Sequence, residues 1–226
     1  MATHQMPVAE PRLPLSRQRV LRAAIGLADE TGIETLSMRK LGQELGVEAM
    51  SLYNHVANKD DILGGMVDIV VDEIELPAAG ADWRAAIRRT AISAYEVLLR
   101  HPWAANLVLS GPGLSYSRLR YMDGILGSLR KGGFSAGMTD HAYHALDSHI
   151  MGFTLWQVGI SAGLANISSV GDFLRELDQD AYPHLAEHAQ QHMKARDPGD
   201  EGEFAFGLDL ILDGLARLLD QGGRRA

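Results

Sequence analysis

An all-α fold is predicted by three features of this chain. Apolar residues recur at spacings of three and four along most of its 226 residues, and no period-two run is long enough for a sheet. Glycines and prolines punctuate those stretches at Gly32, Gly46, Pro77, Pro102 and Gly132–Gly133. Side chains able to accept from free helix N–H groups, among them Ser16, Ser37 and Asn58, stand where a helix would begin.

The chain starts with an arm, residues 1–15, in which Pro7, Pro11 and Pro14 argue for disorder. Ser16 then caps a first helix that buries Val20, Leu21, Ala24 and Leu27–Ala28, and Gly32 stops it. Ser37 caps a short helix from Met38 to Leu45, ended by Gly46, a residue that takes positive φ without strain. A third short helix is expected from about Glu48 to Val56, with Leu52 and Val56 inward. Asn58 opens a fourth, Lys59 to about Leu76, whose Asp60 and Asp61 suit the positive end of the helix dipole.

The composition breaks at Pro77–Asp82, so we divide the chain there into 16–76 and 82–226. Helices are expected over Asp82–His101, Trp103–Leu109, Tyr116–Arg130 and Thr139–Leu164. Further ones are expected around Asp172–Leu177, from Pro183 to Met193 and from Phe204 to Asp220. The last is apolar nearly all round, which requires burial on several sides and points to a two-fold partner, together with the long Thr139–Leu164 helix. The glycines at 152, 159, 163, 207 and 214 suggest close helix approach there.

Composition excludes several classes. There is no cysteine, hence no disulfide framework, thiolate metal site or cysteine nucleophile. No apolar run nears the ~20 residues of a membrane span, and the N-terminus lacks an apolar signal segment, so a cytoplasmic protein is expected. The net charge of -8 argues against coating nucleic acid nonspecifically. Locally the balance reverses: residues 12–59 hold seven basic and five acidic side chains.

Two short helices meeting at Gly46 behind a longer one form a helix-turn-helix pattern, whose second helix enters the major groove of DNA. With Leu52 and Val56 inward, the outward set is Glu48, Ala49, Met50, Ser51, Tyr53, Asn54 and His55. Asn bonds adenine edges, while Ala and Met pack on thymine methyls. Ser reaches bases or phosphates, Tyr and His bond phosphates, and Arg17, Arg19, Arg39, Lys40 and Lys59 would supply charge at the rim.

The run LSMRKLGQELGVEAMSLYNHVANKDDIL resembles the DNA-binding domain of the tetracycline-repressor (TetR) family. RHPWA, AYHALDSHIMGF and FAFGLDLILDGL resemble the regulatory domain of the tetracycline-repressor branch. The resemblance implies groove-facing roles for Arg39, Ala49, Met50, Ser51 and Asn54, and phosphate contacts for Tyr53, His55 and Lys59. Glu48 stands where the family often has a capping Ser or Thr; an acid there suits the helix dipole but repels phosphate. The resemblance further implies a homodimeric regulator, most simply a repressor, that leaves a palindromic operator when a small molecule binds its C-terminal domain. No cofactor is required. The candidate ligand residues are Trp103, Asn106, Tyr116, Arg120, His144, Ser148, Met151 and Trp156.

Two other readings stand beside this one. His184, Glu187 and His188 spell H-x-x-E-H, a zinc hydrolase motif, although spacing suggests no third ligand and polar neighbours favour a solvated face. A dimeric adaptor that does not bind DNA is the other. His141, His144, Asp147 and His149 share the long helix, and His144 and Asp147, three apart, are spaced to meet on one face. Inward they would anchor a pocket; outward they would form a solvated or dimer-facing edge.

Overall fold

The computed structural model describes residues 14–110, 115–164, 178, 180–192 and 202–223. Every regular element among them is helical. The chain forms two compact units, 1–66 and 67–226, and the division falls inside a continuous helix. The Pro77–Asp82 segment, the expected boundary, lies within the second unit.

In the first unit α1 (Arg17–Thr31) starts at Ser16, whose hydroxyl accepts from the Arg19 N–H at 3.3 Å. It buries Val20, Leu21, Ala24, Ile25 and Ala28. A single 3-10 turn, Ile33–Thr35, follows Gly32. Ser37 caps α2 (Met38–Leu45) in the same way, and Gly46 ends it in the left-handed region at φ 67°. The next helix, α3, covers only Ala49–Leu52 rather than reaching Val56. From Tyr53 the chain continues in tighter turns, with the Asn54 N–H donating to the Ser51 carbonyl three residues back.

A four-residue helix has no stability of its own. Leu52 and Val56 hold it, both buried, and a fully buried leucine contributes roughly 1.5–3 kcal/mol. The connecting helix α4 (Lys59–Asp72) begins with Asp60 and Asp61, and the Asn58 side chain accepts from the Asp61 N–H at 2.8 Å. It stops at Asp72, four residues short of the expected end.

The second unit continues with α5 (Trp83–Arg100), α6 (Pro102–Ser110), α7 (Tyr116–Lys131), α8 (Ala136–Leu164), α9 (Pro183–His192) and α10 (Gly202–Gly223). The expected helix near 172–177 and the GPG break at 111–113 lie outside the described residues, as does most of the arm. Helix α5 packs on α7, α8 and α10, around a core that includes Ile87, Leu129, Leu146, Ile150, Leu208 and Leu212. Tyr95 stacks on Phe204 at 4.1 Å, and Trp83 meets Phe134 edge-on at 4.9 Å. Arg84 pairs with Asp213, and Arg88 grips Asp209 through two nitrogens at 2.9 and 3.1 Å, lacing α5 to α10. The Arg88 guanidinium holds the Asp209 carboxyl below the usual carboxylate range.

Candidate DNA interface and ligand cavity

The helix-turn-helix is tight because Gly42 has no side chain. A Cβ there would stand 2.8 Å from the Val47 carbonyl oxygen and 3.2 Å from the Ala49 N–H nitrogen. Since those atoms are backbone, only glycine lets α2 and α3 approach so closely, and the Val47 N–H then donates to the Gly42 carbonyl at 2.9 Å. The periodicity reading missed this residue; the signal was there in two glycines four apart, Gly42 and Gly46.

With Leu52 and Val56 inward, Glu48, Met50, Tyr53 and Asn54 are exposed, and Ala49, Ser51 and His55 are half-buried. Met50 is 75 % exposed, a large apolar side chain that its own unit leaves uncovered. Glu48 stands at the start of α3 in extended conformation, and its side chain makes no capping bond. Beside this surface Arg39, Lys40 and Lys59 are exposed.

Arg17, expected as a rim charge, is committed elsewhere. Its two terminal nitrogens donate to the two carboxylate oxygens of Asp61, each at 2.7 Å, tying α1 to the start of α4. Asp61 also accepts from the Ala57 N–H at 2.8 Å, in the turn that precedes Lys59. The Arg17 hydrogen bond first, and that backbone bond second, hold the Asp61 carboxyl below its ordinary range.

A cavity of about 100 Å³ lies within the second unit. Its polar lining is Arg118 and Tyr121 from α7 and Tyr143 and Asp147 from α8, and Met151 and Ile150 close one side. Burial pushes Asp147 up from the ordinary carboxylate range, with His144 and Arg118 opposing it. Burial, aided by the Asp147 charge, also raises Tyr121 and pushes Tyr143 up to about 12.

Of the eight expected ligand residues, Met151 lines this cavity. Trp103 is buried in the core without lining it. Asn106, His144 and Ser148 face solvent, Tyr116 is 80 % exposed, and Trp156 is nearly half exposed. Arg120 is exposed and pairs with Asp72 at 2.7 Å. The His144 ring faces solvent, 3.6 Å from Asp140 one turn earlier, while Asp147 faces the cavity, with His144 still near enough to act on its charge. His149 goes inward, its ring nitrogen 2.9 Å from the Phe204 carbonyl oxygen, and His141 is exposed.

His184, Glu187 and His188 lie on the exposed face of α9, whose buried residues are Ala186 and Ala189. Among the described residues no group of three His, Cys, Asp or Glu side chains is arranged to hold a metal ion. Nor is any described helix long and apolar enough to cross a membrane.

Residues 20–66 match the family model for bacterial regulatory proteins of the tetR family, and residues 76–219 match the tetracyclin repressor-like C-terminal domain. The HTH-type transcriptional repressor DrrR1 of Streptomyces coeruleorubidus is 31% identical over 97% of this chain and 84% of its own. The class D tetracycline repressor protein of Escherichia coli is 33% identical, covering 88% of each chain. Among solved structures, the TetR family protein ActR of Streptomyces coelicolor in complex with actinorhodin superposes with a TM-score of 0.71. It is 27% identical and covers 92% of this chain and 99% of that one. The chain belongs to the TetR family, as a ligand-responsive, DNA-binding transcriptional regulator.

Proposed function

We propose that the protein is a homodimeric repressor that leaves a palindromic operator when a small molecule occupies its helical unit. The single observation that carries the DNA side is the Met50–Asn54 surface. Met50, Tyr53 and Asn54 are exposed on it, Leu52 anchors it in the core beside Gly42, and Arg39, Lys40 and Lys59 stand exposed nearby. Asn54, Met50, Ala49 and Ser51 read base edges with Arg39, while Tyr53, His55 and Lys59 contact phosphates. Glu48 faces the groove without capping α3, and its acid disfavours a phosphate at that point.

The functional division is an arm over 1–15, a DNA-binding domain with its connecting helix over 16–76, and a ligand-binding and dimerisation domain over 82–226. Dimerisation is supported by α10, where Phe206, Leu210 and Leu218 are exposed at helical spacing although the opposite face is buried. Phe206 is 70 % exposed and shares this exposed apolar face with Leu210 and Leu218, and a contiguous apolar patch marks an interaction surface. A two-fold dimer presents two reading surfaces, so its operator is palindromic. The effector acts by preferring the conformation that does not fit DNA, which needs no catalysis and no cofactor. Such a protein works in the cytoplasm, where its operator lies. A gel shift on DNA upstream of its own gene, repeated over a salt series, tests this reading. Retardation that weakens steeply with salt is expected, and its absence on any upstream fragment overturns the reading.

A further inference from the structure

The chain contains nine methionines and no cysteine, so methionine supplies all of its sulfur. Among the described residues Met50 is the one exposed methionine, at 75 %. Met66 and Met151 are buried, and Met38, Met122 and Met138 are half-buried. Met50 stands in the four-residue helix α3, on the surface that carries Tyr53 and Asn54, and its neighbour Leu52 anchors that helix in the core. Its thioether is therefore open to small solutes while the protein is off DNA.

Methionine sulfoxide is polar where the thioether is apolar, and its oxygen is a strong acceptor. On Met66 that change would disrupt the core, but burial denies the oxidant access there. On Met50 it leaves the fold alone, because the side chain stands in water. Against a thymine methyl the same oxygen would lose its water and find no donor, which is the cost of an unsatisfied polar group. With no cysteine in the chain, no thiol of its own competes for the oxidant.

We propose that Met50 is a reversible oxidation site, at which a hydroperoxide weakens operator binding and a thiol-dependent sulfoxide reductase restores it. The sulfur lone pair attacks the hydrogen-bearing oxygen of the hydroperoxide, and the S–O bond forms as the O–O bond breaks. The departing oxygen takes the proton of the transferred one and leaves as water or an alcohol. Sulfur loses two electrons and the peroxide gains them. In the return step two reductase thiols become a disulfide and the sulfoxide oxygen leaves as water. The inference rests on reading the Met50–Asn54 surface as the one that meets DNA, and adds a regulation that acts on that surface directly.

The test treats the full-length protein with hydrogen peroxide, with and without saturating operator DNA. Trypsin cuts after Lys40 and Lys59, and residues 41–59 hold no other methionine, so the mass of that peptide reads Met50 alone. It should gain one oxygen before the peptides that carry Met66 and Met151, and operator DNA should slow the gain. Fluorescence anisotropy of a labelled operator should then show affinity reduced about tenfold or more, and restored by methionine sulfoxide reductases acting on both epimers. Far-UV circular dichroism should stay unchanged. Each variant is compared with its own untreated state: Met38→Leu should lose affinity as the wild type does, and Met50→Leu should lose none. The proposal is overturned if the wild type keeps its operator affinity with Met50 fully oxidised, or if Met50→Leu loses affinity as the wild type does. It is overturned equally if the reductases return Met50 to the thioether without restoring affinity. Untreated protein that binds no operator overturns the reading of the surface itself, and this inference with it.

Discussion

Arg17 holds both carboxylate oxygens of Asp61 at 2.7 Å, across 44 residues of chain, and so joins the first turn of α1 to the first turn of α4. Lys59 opens that same helix. The pair therefore sets where Lys59, the proposed phosphate contact, stands relative to Met50 and Asn54.

Arg17→Ala should cost about 1 kcal/mol or less, since Arg17 is nearly half exposed and solvent screens the pair. The pH dependence has a definite sign. Asp61 titrates lower in the folded chain than its ordinary 3.8, so the pair contributes fully above that value and fades as pH falls through the lowered one. Urea denaturation of both proteins should show a gap at pH 6 that narrows below about pH 4. A gap constant across that range would mean the bond contributes nothing.

Two glycines make opposite predictions. Gly42→Ala forces a methyl against the Val47 carbonyl and should destabilise by about 1–3 kcal/mol while weakening operator binding. Gly26→Ala, in the exposed middle of α1 with nothing within 4 Å of the new methyl, should stabilise by up to about 1 kcal/mol. Thermal unfolding of the two variants checks both; equal shifts of one sign would refute the close-approach argument.

Assembly is tested on α10. Phe206→Asp combined with Leu210→Glu adds charge to exposed positions, so the fold of the single chain should survive while a dimer does not. Sedimentation at micromolar concentration should show a monomer, and operator affinity should fall steeply. Wild-type protein sedimenting as a monomer would contradict the assembly outright.

Much of this was legible in the chain because caps and stops are local. Ser16, Ser37, Asn58 and Gly46 act on atoms within four residues of themselves, and each stands where the sequence reading put it. Leu52 and Val56 were readable as anchors for the same reason. The early end of α3 was not, since the change to tighter turns at Tyr53 is a backbone adjustment without a Gly or Pro to mark it. The cavity was harder still. Helix α8 carries His141, His144, Asp147, Ser148 and His149 on several sides, so periodicity could not say that Asp147 faces in while His144 and Ser148 face out. Tyr121 belongs to another helix altogether, and only tertiary packing brings it near Asp147.

The most direct test of the account is the salt dependence of operator binding for the wild type and Lys59→Ala, with Asn54→Ala and Met50→Ala alongside. Anisotropy titrations at several salt concentrations give log K against log salt. Lys59→Ala should weaken binding to every sequence and flatten that slope by about one unit, as loss of one phosphate contact requires. Asn54→Ala and Met50→Ala should keep the slope and change which bases are preferred, by roughly 1–3 kcal/mol per lost contact. Unchanged affinity and slope for Lys59→Ala, with unchanged base preference for the other two, would contradict the placement of DNA on this surface.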